Sequence, residues 1–188
     1  MASTNIVDQL VFYGSYHNNK WNQLIHVVCV PAIFFSLCIG LCYTGPLLNN
    51  SDSVLFRYMN GAAVCYAVFA VLYFCLDIIG AAVANSALLA CLIAANFCYD
   101  SFGPGLAWKY ALAVHILSWA LQIVGHVYIE KRNPAFMDSF FQSLFLAPLF
   151  VCTEMVFLCG FRPKLRRDVE KRVKANVLVY RRSQLNKQ

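Results

Sequence analysis

Residues 78–98 read IIGAAVANSALLACLIAANFC, an unbroken apolar stretch with no charged side chain. The hydrocarbon core of a bilayer takes about 20 such residues of α-helix to cross, so this stretch predicts a membrane-spanning helix. Working outward, three more stretches have the same character: about 24–43, 58–76 and 108–129. Turn-forming Thr44-Gly45-Pro46 through Asp52 separates the first two, and Gly103-Pro104-Gly105 separates the last two. The reading is an all-α, polytopic membrane helix bundle with about four transmembrane helices.

Composition agrees. Of 188 residues, 60% are hydrophobic and only 13% charged, where a soluble domain carries about 25% charged residues. Mean hydropathy is +0.58. No basic n-region precedes the first long apolar run near Leu24, so no Sec-type signal peptide is expected. Nine cysteines occur without a Cys-x-x-Cys, most of them inside apolar runs (Cys29, Cys38, Cys65, Cys75, Cys91, Cys152). They read as small apolar residues rather than as a disulfide framework.

Two further segments complete the plan. Residues 5–16 place Ile6, Val7, Leu10 and Val11 on one helical face, which predicts an N-terminal interfacial helix. The segment 139–160 is apolar but interrupted by Gln142, Pro148 and Glu154, with Lys131 and Arg132 before it and a basic run after it. It predicts a re-entrant hairpin or a fifth hydrophobic segment. Charge is unevenly divided: residues 162–187 hold ten Lys/Arg and two acids, whereas the first 161 hold five and seven. Residues 1–161 are thus expected to form one membrane-embedded domain, and 162–188 a basic cytosolic tail. Anionic lipid headgroups are the nearer partner for that tail, and no nucleic acid is expected. Asn49-Asn50-Ser51 matches a glycosylation acceptor. Tyr13, Tyr16, Trp21 and Tyr128 read as interfacial anchors.

The chain has four histidines, and under the expected topology three converge on one membrane face: His17, His26 and His126. Ionisable and ligating groups are costly near lipid and default to a functional reading. Imidazoles from separate helices hold iron or zinc and leave positions open for oxygen or substrate. On one straight helix His17 and His26 would stand about 13 Å apart on opposite faces, so sharing a metal requires a bend, and Asn18-Asn19 is the expected break. Glu130 shares a helical face with His126 at i, i+4, as a ligand or as an acceptor that orients a ligand. His115 lies about 16 Å deeper and is expected to make a helix–helix hydrogen bond instead. Position alone leaves a metal site and three individually satisfied histidines both open. There is no His-x-x-His-His cluster, nor the eight histidines of a membrane di-iron hydroxylase, and no Gly-x-Ser-x-Gly elbow, phosphate loop or dinucleotide fingerprint.

Three blocks carry a resemblance: Tyr16-His17-x4-Asn22-x2-Ile25-His26-x4-Pro31; Gln122-x2-Gly125-His126-x3-Glu130-Lys131-Arg132-x-Pro134-Ala135; and Gln142-Ser143-Leu144-x-Leu146-Ala147-Pro148-x-Phe150 with Glu154 beyond. In this order, over about residues 7–167, the chain resembles the small membrane-protein family typified by the fungal 2-hydroxy fatty acid dioxygenase of the endoplasmic reticulum. The resemblance implies an Fe(II)-dependent enzyme of fatty acid α-oxidation. Such an enzyme uses O2 to shorten 2-hydroxy fatty acids, such as 2-hydroxypalmitate from phytosphingosine breakdown, by one carbon. The family's motif histidines fall on His17, His26 and His126, the expected metal-binding and catalytic residues; His115 matches no motif. Lys131 and Arg132 are expected to meet the substrate carboxylate. An endoplasmic reticulum membrane location with both termini cytosolic follows from the resemblance and the charge pattern. Two other readings stand beside it: a non-enzymatic lipid-binding or scaffold protein, and a haem-binding cytochrome with His115 as an axial ligand.

Overall fold

The computed structural model describes residues 5–47 and 54–186, so the glycosylation tripeptide at 49–51 lies outside the described residues. All regular structure among these residues is helical. In chain order the helices are α1 (Ile6–Tyr16), α2 (Lys20–Cys42), α3 (Val54–Arg57), α4 (Gly61–Leu76), α5 (Ile78–Phe102) and α6 (Pro104–Val124). A π-helical turn (Gly125–Glu130), a 3-10 turn (Ala135–Met137), α7 (Phe140–Leu158) and α8 (Pro163–Leu185) complete the chain.

Short polar side chains set the boundaries. Asn5, Asn19, Asn60 and Asp77 each accept a backbone N–H of the first helical turn that follows them, supplying a partner that a helix start otherwise lacks. Asn19 therefore begins α2 three residues after α1 ends, and the break expected at Asn18-Asn19 is present. Gly103, at φ 68°, closes α5, and Pro104 opens α6 at its first position.

The expected spans become α2, α4, α5 and α6 with its π-helical extension. Three of them, Lys20–Cys42, Ile78–Phe102 and Pro104–Glu130, are long and apolar enough to cross a membrane. The stretch 58–76 yields a shorter helix, because Asn60 caps it and leaves 16 residues, about 24 Å of helix against a core of about 30 Å.

Side-chain pairs fix the topology. Helices α4 and α5 form an antiparallel hairpin about Asp77: Asn85 donates to the Ala70 carbonyl, Asn60 to Asn96, and Tyr58 to Asp100. Helices α2 and α6 are likewise antiparallel, with Ser36 against His115 and Tyr43 bonded to the Pro104 carbonyl. Fully buried Ala81, Ala84, Ala95 and Ala107 let the helices approach closely. Large apolar side chains such as Ile93, Phe97, Ile116 and Leu117 stay exposed on the outside, where lipid would cover them.

The segment 139–160, expected as a re-entrant hairpin or a fifth hydrophobic segment, forms one helix whose pair with α8 has the shape of a broken span or a re-entrant loop. The chain does not turn back inside the segment; α7 is one helix containing Pro148. Proline removes one helical N–H, and a neighbouring helix engages the backbone beside the gap: the Tyr73 hydroxyl donates to the Phe145 carbonyl at 2.8 Å. The change of direction, 116°, comes after α7, where Gly160 and Arg162 have positive φ. Helix α8 then packs on α1. Val173 fills the space over Gly14, Arg172 pairs with Asp8 at 2.6 Å, and Asn176 donates to Ser15. Arg162 pairs with Asp77 at 2.5 Å, tying the start of α8 to the α4–α5 turn. All nine cysteines are free thiols.

Candidate metal centre

Antiparallel packing of α2 on α6 brings His26, near the start of one helix, beside His126, just past the end of the other. The bend between α1 and α2 swings His17 onto the same spot. Ring centroids lie 4.4 Å apart for His17 and His26, 4.7 Å for His17 and His126, and 5.0 Å for His26 and His126, each pair nearly perpendicular. One nitrogen from each ring lies within 4.8 Å of the other two, and all three rings are buried. The position-based expectation that these three converge is borne out.

Local hydrogen bonds orient two of the rings. His17 Nδ1 lies 2.9 Å from the Tyr13 carbonyl and His26 Nδ1 2.9 Å from the Asn22 carbonyl. A carbonyl only accepts, so each Nδ1 carries the proton and each Nε2 keeps its lone pair for a ligand. Tyr13 also stacks on His17 at 3.9 Å. Burial pushes the His17 pKa well below the usual histidine value, and the nearby rings of His26 and His126 add to the effect. The ring is therefore neutral, the form that binds metal. His126 Nδ1 is buried and has no hydrogen-bond partner among the described residues. Imidazole–metal bonds run to about 2.0–2.1 Å, so the three side chains would close inward to share one ion. Neutral imidazole donors suit iron, zinc, copper or nickel. The residues present fit a bound transition metal.

The π-helical turn positions His126. Such turns place one extra residue in the helix and recur at functional sites. At its end Glu130 is not a member of the histidine cluster. Its carboxylate accepts the backbone N–H groups of Asn18 and Asn19 at 3.1 and 2.9 Å and the Asn22 amide at 3.2 Å. It thus satisfies donors at the start of α2, where the helix dipole favours negative charge, and it links the turn bearing His126 to the segment bearing His17 and His26.

Lys131 is exposed at φ 55°. The Arg132 guanidinium lies between the rings of Tyr16 and Tyr180, at 3.7 and 4.2 Å, and donates to the Ser15 carbonyl at 2.6 Å. Neither residue lines the cavity described below. His115 stands apart from the cluster, as expected. Trp119 donates to its Nε2 at 3.1 Å, and its Nδ1 lies 2.9 Å from Ser36 Oγ, which donates to the Ile33 carbonyl. With both nitrogens engaged, His115 offers nothing to a haem iron.

The three histidines line one end of an almost wholly apolar cavity of about 230 Å³. From His26 its wall follows α2 through Val30, Phe34 and Leu37, and Cys65, Phe69, Trp119 and Phe145 close the other sides. His26 and Leu37 are separated by about 16 Å along the helix. Trp21 and Tyr128 are exposed, as interfacial anchors would be, but Tyr13 and Tyr16 are buried, Tyr13 in this cavity wall. The sequence did not point to a place at the site for two residues: Tyr13, and Gln23, whose amide joins the His17 carbonyl to Glu154 at 2.8 and 3.0 Å. The signal for Tyr13 was its spacing, four residues before His17, as Asn22 precedes His26 and Gln122 precedes His126.

The family described as "2-hydroxy-palmitic acid dioxygenase Mpo1-like" matches residues 3–158, a range that holds all three cluster histidines. The chain is 35% identical over 162 residues to the 2-hydroxy-palmitic acid dioxygenase MPO1 of Saccharomyces cerevisiae, covering 86% of each protein. No solved structure matches it. Match and likeness both run through nearly the whole helical bundle, and the chain belongs to the Mpo1-like family.

Proposed function

We propose that this protein is an iron(II)-dependent dioxygenase of fatty acid α-oxidation that shortens 2-hydroxy fatty acids, 2-hydroxypalmitate among them, by one carbon. The observation that carries the reading is the convergence of His17, His26 and His126 at one end of a long apolar cavity. The donor set accepts several metals, and the name of the yeast relative favours iron, the usual partner of O2 chemistry among them.

The division of labour follows the shape. Three neutral imidazoles would hold the ion, with His17 and His26 locked in one tautomer by the carbonyls of Tyr13 and Asn22. Bound iron(II) would supply a centre for O2 chemistry at C1 and C2 and a positive charge that the imidazoles leave uncancelled. Glu130 would keep the three ligand-bearing segments in register. Val30, Phe34, Leu37 and Phe69 would receive the alkyl chain and keep water from the reacting carbons. An amphiphilic substrate suits a site at one end of a membrane bundle, with its tail buried and its head at the metal.

Helices α1 and α8 pack together, which supports placing both termini on one side. The basic residues of α8 favour the cytosolic face of the endoplasmic reticulum for that side. The test is metal content beside turnover. Purified protein should carry close to one iron per chain, and His126→Ala should lose both iron and activity. Normal iron and full activity in that variant would remove the proposal, and tolerance of alanine at all three histidines would favour a lipid-binding protein.

A further inference from the structure

Buried side-chain nitrogen and oxygen atoms without a hydrogen-bond partner are few, and they are not scattered. Six such atoms occur among the described residues, and four of them belong to residues lining the histidine cavity: Tyr13 Oη, Gln122 Nε2, Ser143 Oγ and His126 Nδ1. Tyr13 is 4% exposed and Gln122 7%. A buried polar atom without a partner costs the full desolvation of the group, and native structures rarely keep one without a use. Three on the wall of the one apolar cavity that the metal-binding cluster also lines mark that cavity as the place where a polar ligand group is received.

We infer that Tyr13, Gln122 and Ser143 receive the oxygen-bearing head of the substrate, a 2-hydroxy carboxylate, and hold it against the histidine cluster. The chemistry of the three groups selects such a head. The Gln122 amide nitrogen only donates, and the Tyr13 and Ser143 hydroxyls donate or accept. A carboxylate is acceptor-only, whereas an adjacent hydroxyl does both, so two neighbouring oxygens of these kinds satisfy all three side chains. The three come from different elements: Tyr13 from α1, where it stacks on His17; Gln122 from the last turn of α6, four residues before His126; and Ser143 from the start of α7. A head held by all three is fixed in position and orientation relative to the rings. All three are uncharged at neutral pH, and the cationic side chains next in the sequence are placed elsewhere, with Arg132 held between Tyr16 and Tyr180. The carboxylate charge is then left for a bound cation to balance.

The identity of the head rests on the dioxygenase reading, whereas the need for an oxygen-rich head rests on the cavity alone. The two are separated by measuring binding under anaerobic conditions, where no turnover occurs. Full-length, iron-loaded protein in detergent is titrated with 2-hydroxypalmitate and with hexadecane in competition with a fluorescent fatty acid. The titration is repeated for Gln122→Met, Tyr13→Phe and Ser143→Ala, and iron content is measured for each. The expected result is about tenfold weaker binding of 2-hydroxypalmitate by Gln122→Met and several-fold weaker binding by each of the others. Hexadecane affinity should stay within twofold and iron content should equal that of the parent. The Phe and Ala variants each delete a single oxygen, so the test survives a misfolded Gln122→Met. Unchanged affinity for the acid in all the folded variants overturns the assignment. So does a parallel loss for hexadecane, which would make the residues packing elements. If the parent binds the acid through these groups yet turns over no 2-hydroxy acid in air, the receiver stands and the dioxygenase reading falls.

Discussion

Gly125 and Asn22 meet without room for a β-carbon: a Cβ on Gly125 would lie 2.5 Å from Asn22 Oδ1 and 3.2 Å from the Ile25 side chain. That contact sets how closely the end of α6 approaches the start of α2, and the residues next to it in sequence and in the helix are His126 and His26. Gly125→Ala should force the two helices apart, destabilising the protein by about 1–3 kcal/mol and spreading the histidines. Iron affinity should fall even at temperatures where the variant stays folded. Thermal unfolding and iron content, measured on the same preparation, check this.

Glu130 reaches the cluster through the backbone of Asn18 and Asn19 and the side-chain amide of Asn22. Its carboxylate accepts the N–H groups of Asn18 and Asn19, so Glu130→Ala should leave three histidines present but loosely held. Loss of such supporting contacts typically costs about 10–100-fold in metal affinity or activity. Glu130→Gln keeps an acceptor oxygen and should fall between parent and alanine variant. Iron titration of the three proteins should show that order, and equal affinities would deny Glu130 its positioning role.

His115 is the internal control among the histidines. Its nitrogens are used by Ser36 and Trp119, so His115→Ala should lower stability by about 1–3 kcal/mol while keeping normal iron content and no haem absorption. Loss of iron in this variant would place His115 in the metal site, against the geometry.

The depth of the cavity predicts chain-length preference. Leu37 and Cys65 lie at the end away from the histidines, so Cys65→Phe should fill the floor and spare the metal. For 2-hydroxypalmitate kcat/KM should drop about tenfold or more, while 2-hydroxydecanoate should be used at least as well as by the parent. An equal loss on both acids would show that the alkyl chain runs elsewhere.

Much of this was legible in the sequence, for identifiable reasons. Residues 78–98 became α5 because a charge-free run of that length has one stable form in lipid. Asn18-Asn19 became the bend because asparagine caps helices and tolerates turns. The three histidines followed from antiparallel spans, since His26 lies early in one and His126 late in the other. Harder to see was what depended on a partner across space. Basic flanks and an interrupted apolar run suggested re-entrance, and only the folded chain shows that α7 runs through Pro148 as one helix and that the 116° bend comes after it. Tyr13 read as an interfacial anchor, because nothing in its neighbourhood announced that α7 would cover it with Phe150. Arg132 read as a partner for the substrate carboxylate, and nothing near it announced that Tyr180, far along the chain, stacks on it.

The most direct test is oxygen uptake by the detergent-purified, iron(II)-loaded protein given 2-hydroxypalmitate, with the product acid identified by mass spectrometry. The account predicts oxygen consumption matched to the appearance of pentadecanoic acid, and neither in His17→Ala, His26→Ala or His126→Ala. Iron-loaded protein that consumes no oxygen and leaves 2-hydroxypalmitate intact would contradict it.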